Sequence, residues 1–100
     1  MAFTVTNIIG GNTLDLIPTW TWGGLSGHRV QINGLNPIDT TISMSKLQLL
    51  LNNKPVELKN PIRSYTDPSS SINILICSVY LNGINVLDYF PELKSQGYVS

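Results

Sequence analysis

Charge is what this chain has least of. Asp, Glu, Lys and Arg make up 12% of the 100 residues, about half of the roughly 25% usual in globular proteins. Six cations balance six anions. Proteins that live on phosphate backbones normally carry a basic excess, because neutralising phosphates releases counterions; none shows here. Arg29, Lys46, Lys54, Lys59, Arg63 and Lys94 are scattered along the chain. Zero net charge also weakens colloidal repulsion, which favours self-association or a standing protein partner. Cysteine is nearly absent: Cys77 is alone, so no intrachain disulfide and no thiolate zinc site can form. Set inside an apolar run, it reads as a small core residue rather than a nucleophile. The longest apolar stretch, 72–86, is too short to cross a membrane. The opening Met-Ala-Phe-Thr-Val-Thr-Asn lacks the basic start and apolar core of an export signal, so a cytoplasmic location is expected.

What the chain does have is β-forming segments separated by clear turn signals. One hundred residues make one domain, 1–100, with no room for a second core. Residues 72–81 are dense in β-branched side chains and apolar at both phases of the alternation, which predicts a central strand covered on both faces; Asn82-Gly83 follows as a tight turn. Residues 3–9 read as a first strand and Gly10-Gly11-Asn12 as a hairpin turn. Residues 13–20 read as a second strand, with Leu14 and Leu16 opposite Asp15. Pro18 removes a ladder donor there and implies an edge or an end. A Gly-rich connection is expected at 20–27. A third strand follows at 28–35, with Val30 and Ile32 inward and Arg29, Gln31 and Asn33 outward; Asn36-Pro37 stops it. Met44, Leu47, Leu50 and Leu51 form one helical stripe, with Ser43 as N-cap and Asn52-Asn53 and Pro55 at the end. A fourth strand at 56–65 is broken at Asn60-Pro61. After the central strand, Asn85 caps a second short helix. The fold expected is mostly β with α, in the order β-β-β-α-β-β-α, the order of a five-stranded OB-fold barrel.

At this point the chain resembles the staphylococcal-nuclease-like family, the thermonucleases, over residues 3–99. The family's Asp-Gly-Asp-Thr turn corresponds to Gly10-Gly11-Asn12-Thr13, and its third-strand Val-Arg-Leu-x-Gly-Ile-Asp-x-Pro-Glu frame to Val30 through Asp39. Its leucine run and Val-x-Leu correspond to Leu49-Leu50-Leu51 and Val56-Glu57-Leu58. Its fifth strand and glycine turn correspond to the 72–81 segment and Asn82-Gly83-Ile84-Asn85-Val86. The resemblance implies an OB barrel. In the family that barrel carries a calcium-dependent phosphodiesterase site of two calcium carboxylates, two phosphate-binding arginines and a glutamate that handles the attacking water. Carried over, the calcium positions fall on Asn12 and Asn36, the arginines on Gln31 and Ile74, and the glutamate on Asp39. Two amides remove two negative charges from a calcium site whose affinity rises with ligand charge. Losing an arginine that stabilises developing phosphoryl charge costs on the order of 10³ or more in rate. The site reads as degenerate, with neither metal nor cofactor expected.

The expectation is therefore a catalytically inactive domain, a pseudoenzyme, acting as a protein-interaction or structural module through a protein partner or self-association. The alternative is a calcium-dependent nuclease with a rearranged site built from Asp15, Asp39 and Arg29. A third reading is a weak single-stranded nucleic-acid binder that stacks bases on Trp20 and Trp22. Each sharp residue reading has a plainer one beside it: Asp39 as a solvated carboxylate near a helix start, and His28 as a polar residue opening a strand. Ser69 to Ser71 read as a polar turn, and the two tryptophans as the apolar cap on the open end of the core.

Overall fold

Alternation along each strand decides which side turns inward. The computed structural model describes residues 2–35 and 40–90, and among them lie six strands and one α-helix. These are β1 (Phe3–Ile8), β2 (Thr13–Trp22), β3 (Leu25–Ile32), α1 (Thr40–Leu51), β4 (Pro55–Thr66), β5 (Asn73–Leu81) and the two-residue β6 (Ile84–Asn85). On β2, Leu14 and Leu16 are fully buried with Asp15 turned outward; on β3, Val30 and Ile32 are buried between Arg29 and Gln31. On β5, Leu75, Cys77, Val79 and Leu81 enter the same core. The strands are ordered β3-β2-β1-β4-β5-β6, antiparallel throughout except where β3 lies parallel to β5. That last pairing, Arg29 to Ile74 through Ile32 to Cys77, joins the two ends of a five-strand ring into a barrel-like shell. No helix among the described residues is long and apolar enough to cross a membrane.

Several local expectations give way to better-matched geometry. Gly23 and Gly24 both take positive φ, 62° and 81°, so two residues suffice for the turn. Leu25, Ser26 and Gly27 then pair back onto Trp22, Thr21 and Trp20. The third strand thus begins at Leu25 rather than at 28, and what reads as a glycine-rich connection is a hairpin tip. Pro18 does not end β2, which runs through it. The pairing with β1 stops at Ile17, so Pro18 opens an edge on that side among the described residues; the β2–β3 register also shifts between Asp15 and Trp20. The break expected at Asn60-Pro61 is a register shift between Lys59 and Arg63, with Asn60 at φ 53°.

Ser43 is not a cap. It lies one turn inside α1, 4% exposed, and its Oγ donates to the Gly11 carbonyl at 2.6 Å. Ser43, Leu47 and Leu51 are the buried stripe, with Met44 and Leu50 packed at its margins. The helix ends as Asn53 turns left-handed at φ 63°; its N–H donates to Val5 O at 2.8 Å and fastens the helix end to β1.

The second helix is a single 3₁₀ turn, Val86–Tyr89. Asn85 Oδ1 accepts from Leu87 N at 3.0 Å, as a cap should, but Phe90 leaves helical geometry at φ −125°. Phe90 precedes Pro91 in the sequence, and a residue before proline is pushed out of the helical region. The central strand is also less symmetrical than its composition implies. Its inward face is closed, whereas outward Ile76 is only half-buried.

Leu47→Ala should lower stability by about 2–5 kcal/mol in urea unfolding, while Leu49→Ala, at a site 87% exposed, should stay within about 0.5. Burial pushes the Cys77 thiol from 9.0 up to about 12. The folded chain then holds a proton that the unfolded chain releases. Stability should therefore be indifferent to this group below pH 9 and fall between pH 9 and 12, by up to about 1.4 kcal/mol per pH unit. Comparing urea midpoints of wild type and Cys77→Ala across that range reads the effect.

Candidate functional site

Two regions carry the residues singled out by sequence, and the first is the outer face of β2, β3, β5 and β4. Strand register sets Asp15, Arg29, Ile74 and Tyr65 in one row across it, and Thr13, Gln31, Ile76 and Arg63 in the next. Gln31 and Ile74 thus sit on adjacent strands, in neighbouring rows two residues apart along the ladder. Asn12 precedes the residue that pairs with Gln31. Its Nδ2 donates to Leu35 O at 3.2 Å, its Oδ1 accepts from Thr13 Oγ1 at 3.0 Å, and its carbonyl accepts from Ile32 N at 2.7 Å. Asn36 and Asp39 lie outside the described residues. Of the five positions, register brings Gln31 and Ile74 to neighbouring rows of one face, and Asn12 lies at the head of β2 with its amide on Leu35 O.

The electrostatics of that face are local. Arg29 forks onto Asp15, Nε to Oδ1 at 2.9 Å and Nη2 to Oδ2 at 3.3 Å. This hydrogen bonding raises the guanidinium pKa against the opposing effect of burial. His28 Nε2 stands 4.0 Å from Asp15 Oδ2. The Arg63 guanidinium lies over the Tyr65 ring at 5.0 Å, and the Tyr65 hydroxyl donates to Gln31 Oε1 at 3.5 Å. Ile74, between the Arg29 and Tyr65 strands, is only 7% exposed. Among the described residues no group of three or more His, Cys, Asp or Glu is placed to hold a metal ion. In the loop after β4, Asp67 accepts from Ser69 N at 3.0 Å and Ser69 Oγ at 2.9 Å, which holds its carboxyl below the usual range. The serines there shape a turn.

The second region is a slot in the wall of the ring. Among the described residues, β1 pairs with β2 from Thr4 onward and with β4 at Phe3 and Thr4. Beyond those rungs, residues 19–22 of β2 and the stretch of β4 after Val56 have no β1 residue between them. The far end closes where Ser64 Oγ donates to Trp22 O at 3.1 Å. Between lies a cavity of about 180 Å³ lined by Phe3, Trp20, Thr21, Trp22, Leu58, Pro61, Leu75 and Cys77. The two tryptophans share a strand phase but not a role. Trp20 is a core residue, 2% exposed, its Nε1 donating to Arg29 O at 2.8 Å; Trp22 is 37% exposed at the slot's rim. Sequence reading missed the slot. Its only signals were the prolines, Pro18 and Pro61, that flank it on the two strands.

No family model, no curated protein and no solved structure matches the chain.

Asp15 and Arg29 are both largely buried, so each leaves the other unpaired when removed. Asp15→Ala should cost about 1–3 kcal/mol in urea unfolding. Asp15→Ala combined with Arg29→Met should cost less than the sum of the two single changes, with a coupling of at least about 1 kcal/mol in the double-mutant cycle.

Proposed function

We propose that this chain is an OB-fold domain of staphylococcal-nuclease type that does not hydrolyse phosphodiesters and serves as a protein-interaction module. The strand order, with β3 parallel to β5 and α1 between β3 and β4, supports the OB reading. The observation that carries the functional part is the ion pair on the outer face. Where the family resemblance calls for two phosphate-gripping arginines, the positions are Gln31 and a covered Ile74; of the two arginines on that face, Arg29 is committed to Asp15 and Arg63 lies over the Tyr65 ring. A rearranged nuclease site using Asp15 and Arg29 would have to break that pair before either group could meet a metal or a phosphate. Scarce, balanced charge favours a protein partner over a polyanion.

Incubated with single-stranded DNA and millimolar calcium, the chain should release no acid-soluble nucleotide. Turnover above background that disappears in Asp39→Ala would overturn the proposal.

A further inference from the structure

We infer that Asn82-Gly83 is a site of spontaneous deamidation in the folded chain, and that Asn33-Gly34, the same dipeptide at the end of the β3–β5 seam, is protected from it. The inference goes beyond the proposed function and does not depend on it.

The reaction needs only water. The Gly83 backbone nitrogen attacks Asn82 Cγ, and the new C–N bond closes a five-membered succinimide. The side-chain nitrogen leaves as ammonia, taking the proton that the Gly83 nitrogen gives up. Water then opens the ring at either carbonyl. One opening gives aspartate; the other gives isoaspartate, in which the main chain runs through the former side chain. Glycine makes the attack easiest, because no Cβ stands beside the nucleophilic nitrogen.

The sequence holds this dipeptide twice, and the structure separates the two copies by what must move. Attack turns the glycine nitrogen toward the asparagine side chain, so the local backbone has to leave its resting angles. Asn82 and Gly83 form a two-residue hairpin tip between Leu81 and Ile84, at φ 54° and 78°. Both are exposed, and nothing lies within 4 Å of where a Gly83 Cβ would stand. Among the described residues no acceptor holds the Gly83 N–H. β6 is two residues long and Ile84 is already 46% exposed, so lifting the tip uncovers little apolar surface.

Asn33-Gly34 is pinned. The Asn33 N–H donates to Cys77 O at 2.8 Å, one residue beyond the last rung of the parallel ladder. Gly34, at φ 86°, passes so close to Leu87 that a Cβ there would stand 3.0 Å from Leu87 Cδ1, and Leu87 is buried. Moving this backbone breaks the end bond of the seam and disturbs a core side chain.

The product alters the surface. A carboxylate at position 82 joins Glu57 on the wall of a cavity of about 220 Å³ that Ala2 and Val56 also line, and it takes a chain of zero net charge to net negative. Isoaspartate also lengthens a two-residue turn by one main-chain atom, which loosens the Leu81–Ile84 rung.

Ageing the full chain in mildly alkaline buffer, folded and in urea, tests this, with isoaspartate methyltransferase labelling and mass spectrometry of proteolytic fragments. Folded, Asn82 should convert at least tenfold faster than Asn33; in urea the two should convert at comparable rates. Amide exchange at Ile84 should quicken in the aged, folded chain. Asn82→Gly keeps the left-handed geometry and removes the side chain, so it should abolish most labelling of the folded chain, whereas Asn33→Gly should leave labelling unchanged. A folded preference for Asn82 below tenfold, or labelling retained in Asn82→Gly, overturns the inference. So does the same preference in urea, which would assign it to flanking sequence rather than to the fold.

Discussion

The parallel contact between β3 and β5 is the constraint on which the rest of the structure depends. The four antiparallel pairings of the ring, three between consecutive strands and one between β1 and β4 across β2, β3 and α1, leave an open sheet with two exposed edges. Pairing Val30 with Leu75 and Ile32 with Cys77 joins those edges and places four buried side chains at the seam. It also fixes the outer face, because the alternating residues, Arg29, Gln31, Ile74 and Ile76, must then lie together. The β2–β3 hairpin already sets Asp15 opposite Arg29, but Tyr65 reaches Gln31 only because closure brings β5, and β4 beside it, next to β3.

The helix and the turns serve the same closure. A parallel pair needs a long connection between its strands, and here α1 and β4 supply it. α1 is held at both ends by bonds to the shell, Ser43 to Gly11 and Asn53 to Val5. Among the described residues, β1 bridges β2 and β4 as far as Phe3 and Thr4, and the slot lies beyond those rungs. The slot and the seam are thus complementary features: β3 and β5 close the shell on one flank, and β2 and β4 stay apart on another.

Much of this was legible in the residues. The inward sets on β2, β3 and β5, the helix stripe and the break at Asn60-Pro61 all follow from alternation and turn chemistry, which act over a few residues. Less legible was anything decided by contacts between distant segments. Ser43 looks like a cap because serine commonly is one, but the Gly11 carbonyl, far away in sequence, claims its hydroxyl. Gly23-Gly24 could begin a loose connection or a two-residue turn, and pairing across β2 and β3 decides for the turn. Trp20 and Trp22 share a phase, yet the sequence does not say that one meets the core and the other the rim. The outer-face positions Gln31 and Ile74, and Asn12 in the turn before β2, were named through a family resemblance, and the placing of Gln31 beside Ile74 comes from strand register. The slot left almost no trace, because it is an absence of pairing rather than a pattern of residues.

The seam joins residues 29–32 to residues 74–77, a wide separation along the chain. Contacts of that kind return their free energy only after the entropy of closing a large loop has been lost. The β1–β2–β3 meander and the β4–β5 hairpin are local by comparison. The Phe3–Val56 and Thr4–Pro55 rungs span a still longer stretch, so closing this shell requires two non-local ladders that the local hairpins do not supply.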